Sequence, residues 1–586
     1  MMNLLEMPHF RVHLSQLLQQ TATQVLQDNN PPPIEIARTK QANHGDYSCN
    51  LAMQLAKTLH KNPREIAQML IDAMPASEYL DKVEVAGAGF INFFIKNEAK
   101  RAYLNHILRQ GNRYGASNFG GGEKIQIEFV SANPTGPLHV GHGRGAAFGA
   151  SLANVLAKAG FAVTREFYVN DAGRQMDILA LSTWLRYLEL NGVHIPFPEN
   201  AYQGEYVKDM AKLIYQAHAD RYVHQPENLL DGLPESAHKA AVTTDEHLDR
   251  LIANAKKILD QDYTYIHHFV LTEQLGDCRN DLMEFGVEFD IWFSEQSLFD
   301  NGLVAQAVQL LDEKNHLYRQ DGALWFHSTQ FGDEKDRVVQ RENGQFTYFA
   351  SDIAYHLNKF ERGFSRVINI WGADHHGYIP RVKGALQALE QDPEKLKIAL
   401  VQFAVLYRDG KKAPMSTRSG EFVTLRELRH EVGDDAARFF YVMRKSDQHL
   451  DFDLDLAKSQ SNENPVYYVQ YAHARICSVL IQWDGDVASL VDADKDLLTT
   501  PDELALLQRL IDFPDTVESA AKELAPHLIA FYLRELASEF HSYYNSTHFL
   551  VSDIPLMEAR LALVTSIRHV LRNGLELLGV SAPEKM

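Results

Sequence analysis

The sequence predicts an α/β protein with three parts: a central doubly wound, Rossmann-type parallel sheet, an N-terminal α+β domain and a C-terminal all-α helical bundle. Strand-like and helix-like apolar spacings alternate over residues 123–170 and again over 366–405. A turn rich in glycine and histidine joins the first strand of this pattern to its helix. From about residue 424 to the end the apolar spacing is helical, which is typical of a bundle.

The chain is long enough for several domains. Its 586 residues exceed what one hydrophobic core organises, and 45% apolar with 23% charged residues is ordinary for a globular protein. We find no apolar run long enough to cross a membrane and no secretory signal at the start, so no membrane partner is expected. The expected regions are 1–118, 119–405 with an insertion at about 175–335, 406–462 and 463–586.

Cysteine usage and charge bear on compartment and partners. Cys49, Cys278 and Cys477 lie far apart and match neither a disulfide framework nor the spacing of zinc ligands. We therefore expect a cytoplasmic protein with reduced thiols and no structural zinc. The net charge of −20 argues against a nucleic-acid partner, although it leaves room for local basic surfaces.

The first region reads as a small α+β domain. An amphipathic helix over 9–27 precedes expected strands at 34–38, 83–86 and 90–95. Asn62 followed by a proline predicts a helix start, because Asn caps a helix and Pro suits its first turn. A purely stabilising role for this region stays open at this point.

The turn over residues 131–145 carries the strongest functional signal. It follows a strand-like run at 124–130 and precedes a helix-like run at 146–158. A helix start offers unpaired N–H groups and partial positive charge, and His139 and His142 can donate hydrogen bonds to phosphate oxygens. The pattern predicts a nucleotide phosphate site; an ordinary Gly-rich turn with surface histidines is the alternative.

The rest of the central region predicts where other loops converge. A strand at 163–169 follows the phosphate-loop helix, then the alternation gives way to charged helical stretches until about 335, which we interpret as an insertion. It resumes with strands at 366–371 and 398–405. Ligands of such sheets bind beyond the carboxyl ends of the strands, so loops distant in sequence should meet there.

Two further loops belong to that end of the sheet. Residues 372–377, Gly-Ala-Asp-His-His-Gly, follow a strand and offer glycines for close approach to adenine or ribose. A metal cluster of Asp and His is a weaker reading, because adjacent ligands on a short turn rarely converge. Residues 409–420 form a cationic loop that could close over a polyphosphate, with a solvated hairpin as the alternative.

Acidic residues in the expected pocket loops do not suit an anionic nucleotide. Glu128, Asp352 and Asp374, with Tyr348, suit instead a guanidinium or ammonium group, since carboxylates pair with a planar guanidinium bidentately. Helix capping or structural ion pairing is the alternative for each residue taken singly.

Together these motifs resemble those of class I aminoacyl-tRNA synthetases, and specifically of the arginyl-tRNA synthetases. Residues 139–142, His-Val-Gly-His, are similar to the HIGH motif of the class, and 415–419, Met-Ser-Thr-Arg-Ser, to its KMSKS motif. The other similar stretches are spread over the chain, at 44–47, 87–92, 168–175, 202–206, 289–295, 435–438, 468–475 and 581–586.

The resemblance implies a two-step reaction: ATP-dependent activation of L-arginine to arginyl-adenylate, then transfer to the terminal adenosine 2′-hydroxyl of tRNA(Arg), releasing AMP and pyrophosphate. It implies ATP with Mg²⁺ as the nucleotide substrate and a need for bound tRNA before arginine is activated. The N-terminal domain would contact the tRNA elbow, the 406–462 region the stem and the bundle the anticodon. We expect a monomer.

The resemblance also assigns site residues and no metal ligands. The catalytic residues implied are His139, His142, Met415, Ser416 and Arg418. Those implied for ATP are His139, Gly141, His142, Gly372 and His375. Those implied for arginine are Glu128, Asn133, Tyr348, Asp352 and Asp374.

One departure from the family pattern concerns the second loop. Pro414 and Thr417 stand where the KMSKS motif has its first residue and its second lysine. We expect Arg418 to supply the missing cation, with Lys411 and Lys412 as alternatives.

Three rival readings fit less well. A nucleotidyltransferase of the same superfamily would not need the helical end or the N-terminal domain, and a non-catalytic tRNA-binding relative should have lost the histidines or the pocket acids. Cysteinyl and methionyl synthetases would need cysteine clusters for zinc. No editing site is expected, because a guanidinium pocket rejects uncharged analogues by leaving buried carboxylates unmatched, and the insertion lacks strand signals.

Overall fold

The computed structural model describes residues 9–26, 31–39, 42–234, 244–413 and 422–586. The N-terminal domain has the α+β composition that the sequence predicts, and its Asn62 side chain accepts a hydrogen bond from the Arg64 N–H at the start of a helix. Its elements are α1 (Phe10–Leu26), β1 (Ile36–Arg38), β2 (Tyr47–Cys49), α2 (Leu51–Leu59), α3 (Pro63–Ala73), β3 (Leu80–Ala86), β4 (Phe90–Ile95) and α4 (Asn97–Gln110). The four strands form an antiparallel sheet in the order β1-β2-β4-β3.

The described residues of the central region form eight strands and ten α-helices. In chain order they are β5 (Lys124–Glu128), α5 (Val140–Lys158), β6 (Ala162–Val169), α6 (Arg174–Leu190), α7 (Glu205–His218), α8 (Pro226–Leu229), α9 (Asp245–Leu259), α10 (Gln261–Glu284), β7 (Ile291–Ser294), α11 (Gln296–Asp300), α12 (Leu303–Glu313), β8 (Leu317–Gln320), β9 (Ala323–Phe326), β10 (Arg337–Gln340), α13 (Tyr348–Glu361), β11 (Arg366–Gly372), α14 (Ile379–Ala388) and β12 (Leu396–Val401).

Five of these strands form one parallel sheet in the order β7-β6-β5-β11-β12. Ile125 and Ile127 of β5 and Val367 and Ile368 of β11 are fully buried, as expected for central strands covered on both faces. The strand order reverses between β5 and β11, and a doubly wound sheet binds its ligands at such a switch point. The doubly wound prediction is confirmed.

The segment expected as an insertion contributes more strands than the sequence indicates. Helices α6 to α10 have a hydrophobic core of their own, centred on residues such as Leu181, Trp184 and Leu251. However, β7 forms the edge of the parallel sheet, and β8 to β10 form a separate antiparallel sheet. Each of these four strands has only four residues, too few for a clear period of two.

The C-terminal part is mostly helical. Its elements are β13 (Ala404–Arg408), β14 (Lys411–Lys412), α15 (Leu425–Val432), α16 (Asp434–Val442), β15 (Leu450–Asp453), α17 (Leu454–Lys458), α18 (Pro465–Trp483), α19 (Pro501–Ile511), α20 (Phe513–Lys522), α21 (His527–Ser546) and α22 (Ile554–Leu578). Helices α19 and α20 meet at Asp512 and do not form one continuous helix, because Pro514 has no N–H to continue the first. The strand β15, which pairs with β13, interrupts the helical pattern of this region.

One continuous hydrophobic core joins the N-terminal domain, helix α5, strand β5 and the bundle. The Tyr114 hydroxyl donates to the Leu510 carbonyl at 2.8 Å, and the Asn573 amide donates to the carbonyls of Gly111 and Tyr114. The N-terminal domain therefore sits on the bundle. Within the described ranges, no helix combines the length and apolar character needed to cross a membrane.

Candidate active site

The site begins where the central strand β5 ends. Val130 (φ +67°) and Ser131 (φ +43°) both lie in the left-handed region, and the Ser131 N–H donates to the Phe129 carbonyl two residues back at 2.9 Å. A β-branched residue rarely adopts this conformation, and each such residue costs about 1–3 kcal/mol. The strained turn reverses the chain at the switch point of the sheet and leads it into the phosphate loop.

Two stacked imidazoles cap helix α5. The ring centroids of His139 and His142 lie 3.6 Å apart. Nδ1 of His139 accepts the Gly141 N–H at 3.1 Å, and Nδ1 of His142 accepts the His139 N–H at 3.2 Å. A neutral imidazole carries one proton, so each ring has its proton on Nε2. Burial lowers the pKa of His139, and burial together with His139 lowers the pKa of His142 to about 3.

This geometry corrects the expected role of the helix start. The N–H of Val140 donates to the Val423 carbonyl, that of Gly141 to the His139 ring, and that of His142 to the His139 carbonyl. The first-turn N–H groups that the sequence offers to a phosphate are thus occupied. The Nε2–H groups of the two neutral imidazoles remain free to donate to a phosphate at this helix start.

The cationic loop is tied to the phosphate loop on its C-terminal side. The Leu425 N–H donates to the Leu138 carbonyl at 2.8 Å, and Thr424 pairs with His139 as an antiparallel bridge. On its N-terminal side, β13 and β14 form a hairpin whose turn residues Asp409 and Gly410 both have positive φ. The described residues stop at 413 and resume at 422, so the predicted catalytic residues Met415, Ser416 and Arg418 lie outside them.

The loop after β11 presents its polar side chains to solvent. Gly372 ends the strand, and Asp374 and His375 are exposed, with Nε2 of His375 3.4 Å from Oδ2 of Asp374. Among the contacts of the described residues, none joins Asp374 to Glu128 or Asp352. The sequence groups Asp374 with these acids, whereas the structure places it on the outer side of the turn, because residues 373–378 form a 3₁₀ helix.

An exposed aromatic residue that the sequence analysis missed covers both glycines of the ATP loops. Phe403, 50% exposed, follows β12; a Cβ at Gly141 would lie 3.3 Å from its ring, and one at Gly372 would lie 3.9 Å away. The strand expected over 398–405 breaks just before it, because the Gln402 carbonyl accepts from the buried guanidinium of Arg144 instead of continuing the strand pairing. The sequence carries no clear signal for this break, because the expected strand runs through Phe403.

The carboxylates of Glu128, Glu295 and Asp352 lie close together near the switch point of the parallel sheet. Glu128 and Glu295 are buried, and Asp352 is half-buried on the first turn of α13. Glu295 accepts the Ser351 hydroxyl at 3.0 Å, and the Asn170 amide nitrogen donates to its other oxygen at 2.7 Å. Within the described ranges, Glu295 and Asp352 have no ion-pair partner. Glu295 was not among the predicted arginine ligands.

The electrostatics of this cluster favour a cation. Burial, together with the nearby carboxylates of Glu295 and Glu128, raises the pKa of Asp352 to about 7, despite a hydrogen bond from the Tyr378 hydroxyl. Burial also raises the pKa of Glu295. A cationic group entering the pocket would relieve this repulsion and favour the ionised form of both carboxyl groups.

The two remaining predicted arginine residues lie at the rim. Asn133 is exposed, and its amide lies 3.1 Å from that of Asn170. Tyr348 is 60% exposed, and its hydroxyl would lie 3.3 Å from a Cβ at Gly173. Both side chains are therefore available to contact a substrate at the mouth of the acidic pocket.

Three family descriptions match the chain in succession. They are "Arginyl tRNA synthetase N terminal domain" over residues 11–95, "tRNA synthetases class I (R), catalytic domain" over 103–458 and "DALR anticodon binding domain" over 469–586. These matches follow the order of the three parts of the fold.

Individual relatives agree over the full length. The chain is 72% identical over 580 residues to the arginine–tRNA ligase of Nitrosospira multiformis and 69% identical over 581 residues to that of Nitrosomonas europaea, covering 99% of both chains in each pair. The arginyl-tRNA synthetase structure of Thermus thermophilus matches with a TM-score of 0.73 and 25% identity, over 98% of this chain and 100% of that one. This chain belongs to the arginyl-tRNA synthetases of class I.

Proposed function

We propose that the switch-point edge of the sheet carries out both steps of arginine–tRNA ligation. In the first, a carboxylate oxygen of arginine attacks the α-phosphorus of ATP, the bond to the bridging oxygen breaks, and pyrophosphate leaves. In the second, the 2′-hydroxyl of the terminal adenosine attacks the carbonyl carbon, loses its proton, and AMP leaves. The observation that carries the proposal is that Glu295 and Asp352, which have no ion-pair partner among the described residues, lie at the same end of the parallel sheet as the neutral imidazoles of His139 and His142.

The acidic pocket would hold the side chain of arginine. We assign the guanidinium to Asp352 and Glu295, since buried carboxylates without an ion-pair partner are the groups that a planar cation satisfies. Asn133 and Tyr348 would contact the α-amino and carboxylate end at the mouth of the pocket. Glu128 lies beneath them. The outward position of Asp374 favours contact with ATP or the tRNA end over contact with the guanidinium.

The phosphate loop would hold ATP, which enters as its Mg²⁺ complex. His139 and His142 would donate from Nε2 to phosphate oxygens, and Gly141, Gly372 and His375 would border the nucleoside. Catalysis would then consist of positioning and stabilising charge on the leaving pyrophosphate. Met415, Ser416 and Arg418 are proposed to act in this way from the second loop.

The outer regions would bind tRNA. We propose that residues 1–118 contact the elbow, 406–462 the stem and 463–586 the anticodon, around the 119–405 catalytic region. We further propose that the enzyme acts as a cytoplasmic monomer and contains no editing site.

ATP–pyrophosphate exchange tests this assignment. We would measure exchange with each amino acid, with and without total tRNA. Exchange with arginine alone, dependent on tRNA, is the expected result. Exchange with another amino acid would contradict the acidic pocket as the specificity site, and exchange that is equal without tRNA would contradict the coupling of activation to tRNA.

A further inference from the structure

A buried lysine lies under the acidic pocket and has no role in the reaction as described so far. The Lys359 side chain is fully inaccessible to solvent. Its Nζ donates to Oε2 of Glu128 at 2.5 Å and to Oδ1 of Asn369 at 2.9 Å, and it lies 4.3 Å from the centre of the Tyr355 ring. A buried ammonium is costly unless every donor has a partner, and here its surroundings are built for it.

The polar groups around the lysine have one consistent arrangement of protons. The Asn369 amide nitrogen donates to Nε2 of His356 at 2.8 Å, which leaves its oxygen for Lys359. His356 in turn donates from Nδ1 to the backbone carbonyl of Asp352 at 2.7 Å. Burial and the charge of Lys359 lower the pKa of His356 to about 3, so this ring stays neutral. The network therefore runs from Glu128 to the backbone of Asp352.

The spacing on α13 makes this connection possible. Asp352, His356 and Lys359 stand at positions i, i+4 and i+7, which share one face of a helix. The same face thus presents a substrate-binding acid near its start and the lysine two turns later. The Glu128 carboxylate also accepts the hydroxyl of Ser131, one of the strained residues after β5. Lys359 thereby joins α13 to the turn that shapes the pocket.

We propose that Lys359 is a positioning residue for arginine: it holds the Glu128 carboxylate in place and cancels one of the three negative charges of the pocket. This inference rests on the proposed assignment of Asp352 and Glu295 to the guanidinium. Two uncompensated carboxylates then face a substrate with two cationic groups, the guanidinium and the α-ammonium. Without Lys359, Glu128 either competes for the guanidinium or takes up a proton, and both outcomes displace the substrate.

Three variants test the proposal: Lys359→Met, Glu128→Gln and the combination of both. We expect Lys359→Met to raise the KM for arginine in pyrophosphate exchange about tenfold or more, because it leaves a buried carboxylate uncompensated, while the KM for ATP changes less than about twofold. The double variant again has two negative charges in the pocket. Its KM for arginine should be several-fold lower than that of Lys359→Met. The effects of the two substitutions would then not add, which indicates that the two side chains act together.

A pH profile separates positioning from simple structural support. In Lys359→Met the arginine KM should acquire an added dependence on pH, because the Glu128 carboxylate has lost its cationic partner, and the double variant should lose this added dependence. Lys383→Met is the matched control, since Lys383 forms a solvent-facing pair with Glu394 at 3.1 Å; its kinetic constants should match those of the wild type. Additive effects, or equal losses in arginine and ATP affinity, would overturn the proposal. If Lys359→Met does not fold, the double variant is compared with Glu128→Gln. An unchanged KM for arginine is then the expected result, and a tenfold rise in that KM overturns the proposal.

Asp352→Asn, measured in parallel, distinguishes a wrong assignment of the arginine pocket from a wrong role for Lys359. If it leaves the arginine dependence unchanged, the pocket assignment itself fails. If it raises the arginine KM while the Lys359 variants do not, the pocket stands and only the role of Lys359 fails.

Discussion

At the scale of single residues, the two histidines of the phosphate loop are neutral and keep an Nε2–H free to donate. Their Nδ1 atoms are occupied by backbone N–H groups of their own loop, and burial keeps them unprotonated. In the proposed function they would therefore stabilise phosphate charge by hydrogen bonds of fixed direction and not as cations. Because the ring protons are fixed on Nε2 by backbone contacts, the donors are oriented before the substrate arrives.

The variant His142→Ala tests this role. Losing one donor that is preorganised for the transition state lowers kcat about 10²–10³-fold, and we expect that loss in pyrophosphate exchange. Affinity for tRNA, measured by filter binding, should change little. Equal losses in adenylation and in tRNA affinity would contradict a local phosphate role.

The acidic pocket predicts a dependence of arginine binding on pH. With a pKa of about 7, Asp352 is largely protonated in the free enzyme below neutrality, and binding of the guanidinium must release that proton. The value of kcat/KM for arginine should therefore rise with pH and level off above about 7. Asp352→Asn should raise the KM about 10–100-fold, the cost of a hydrogen bond to a charged group, and abolish this rise. A profile of Asp352→Asn that still rises near pH 7 would assign the titration to another group.

At the scale of elements, short connections align the two loops that are proposed to contact ATP. Backbone hydrogen bonds join residues 138–140 to 423–425, and the guanidinium of Arg144 on α5 donates to the carbonyls of Gln402, Lys445 and Gln448. Helix α5 therefore positions both the phosphate loop and the strand break that carries Phe403. The backbone hydrogen bonds place the C-terminal end of the second loop beside His139.

The cation of the second loop can be identified by single substitutions. Lys411 and Lys412 lie in β14, paired with Arg408 and Tyr407, so their backbone is fixed at the base of the loop. We expect Arg418→Ala to lower kcat about 10²-fold through lost stabilisation of the leaving group, with the KM for ATP within about threefold. Lys411→Ala and Lys412→Ala serve as comparisons. If Arg418→Ala is silent and one lysine variant is not, that lysine is the catalytic cation.

At the scale of the whole molecule, the N-terminal domain and the bundle form a single body. Arg11 pairs with Asp515 at 2.8 Å, and Arg38 pairs with Asp512 at 3.1 Å, across their interface. The two regions proposed above to contact tRNA are thus packed directly against each other. A tRNA that contacts both regions would therefore have to match a fixed distance between them.

Salt dependence of tRNA binding tests whether local basic surfaces overcome the net charge. The affinity should fall as salt rises, with a slope of log Kd against log salt of about 3 or more, because several phosphates release their counterions on binding. A slope near zero at a net charge of −20 would mean that binding rests on contacts other than phosphates. Titration of labelled tRNA at several salt concentrations gives the slope.

The sequence by itself determined the fold class, the phosphate loop and the kinds of side chain in the pocket, because periodicity and short motifs are local properties. It led to the correct family through motifs spread over the whole chain. It missed β7 and Phe403, whose signals are too short, and it misassigned the donors at the start of α5.

Only the tertiary structure decided which groups are free and which are occupied. Glu128 and Lys359 lie 231 residues apart in sequence and meet only because β5 and α13 pack at the switch point. Likewise, Glu295 becomes an unpaired acid only because β7 joins the edge of the parallel sheet. Whether a carboxylate binds substrate or supports the fold depends on its neighbours in space, and these are set by packing between distant segments.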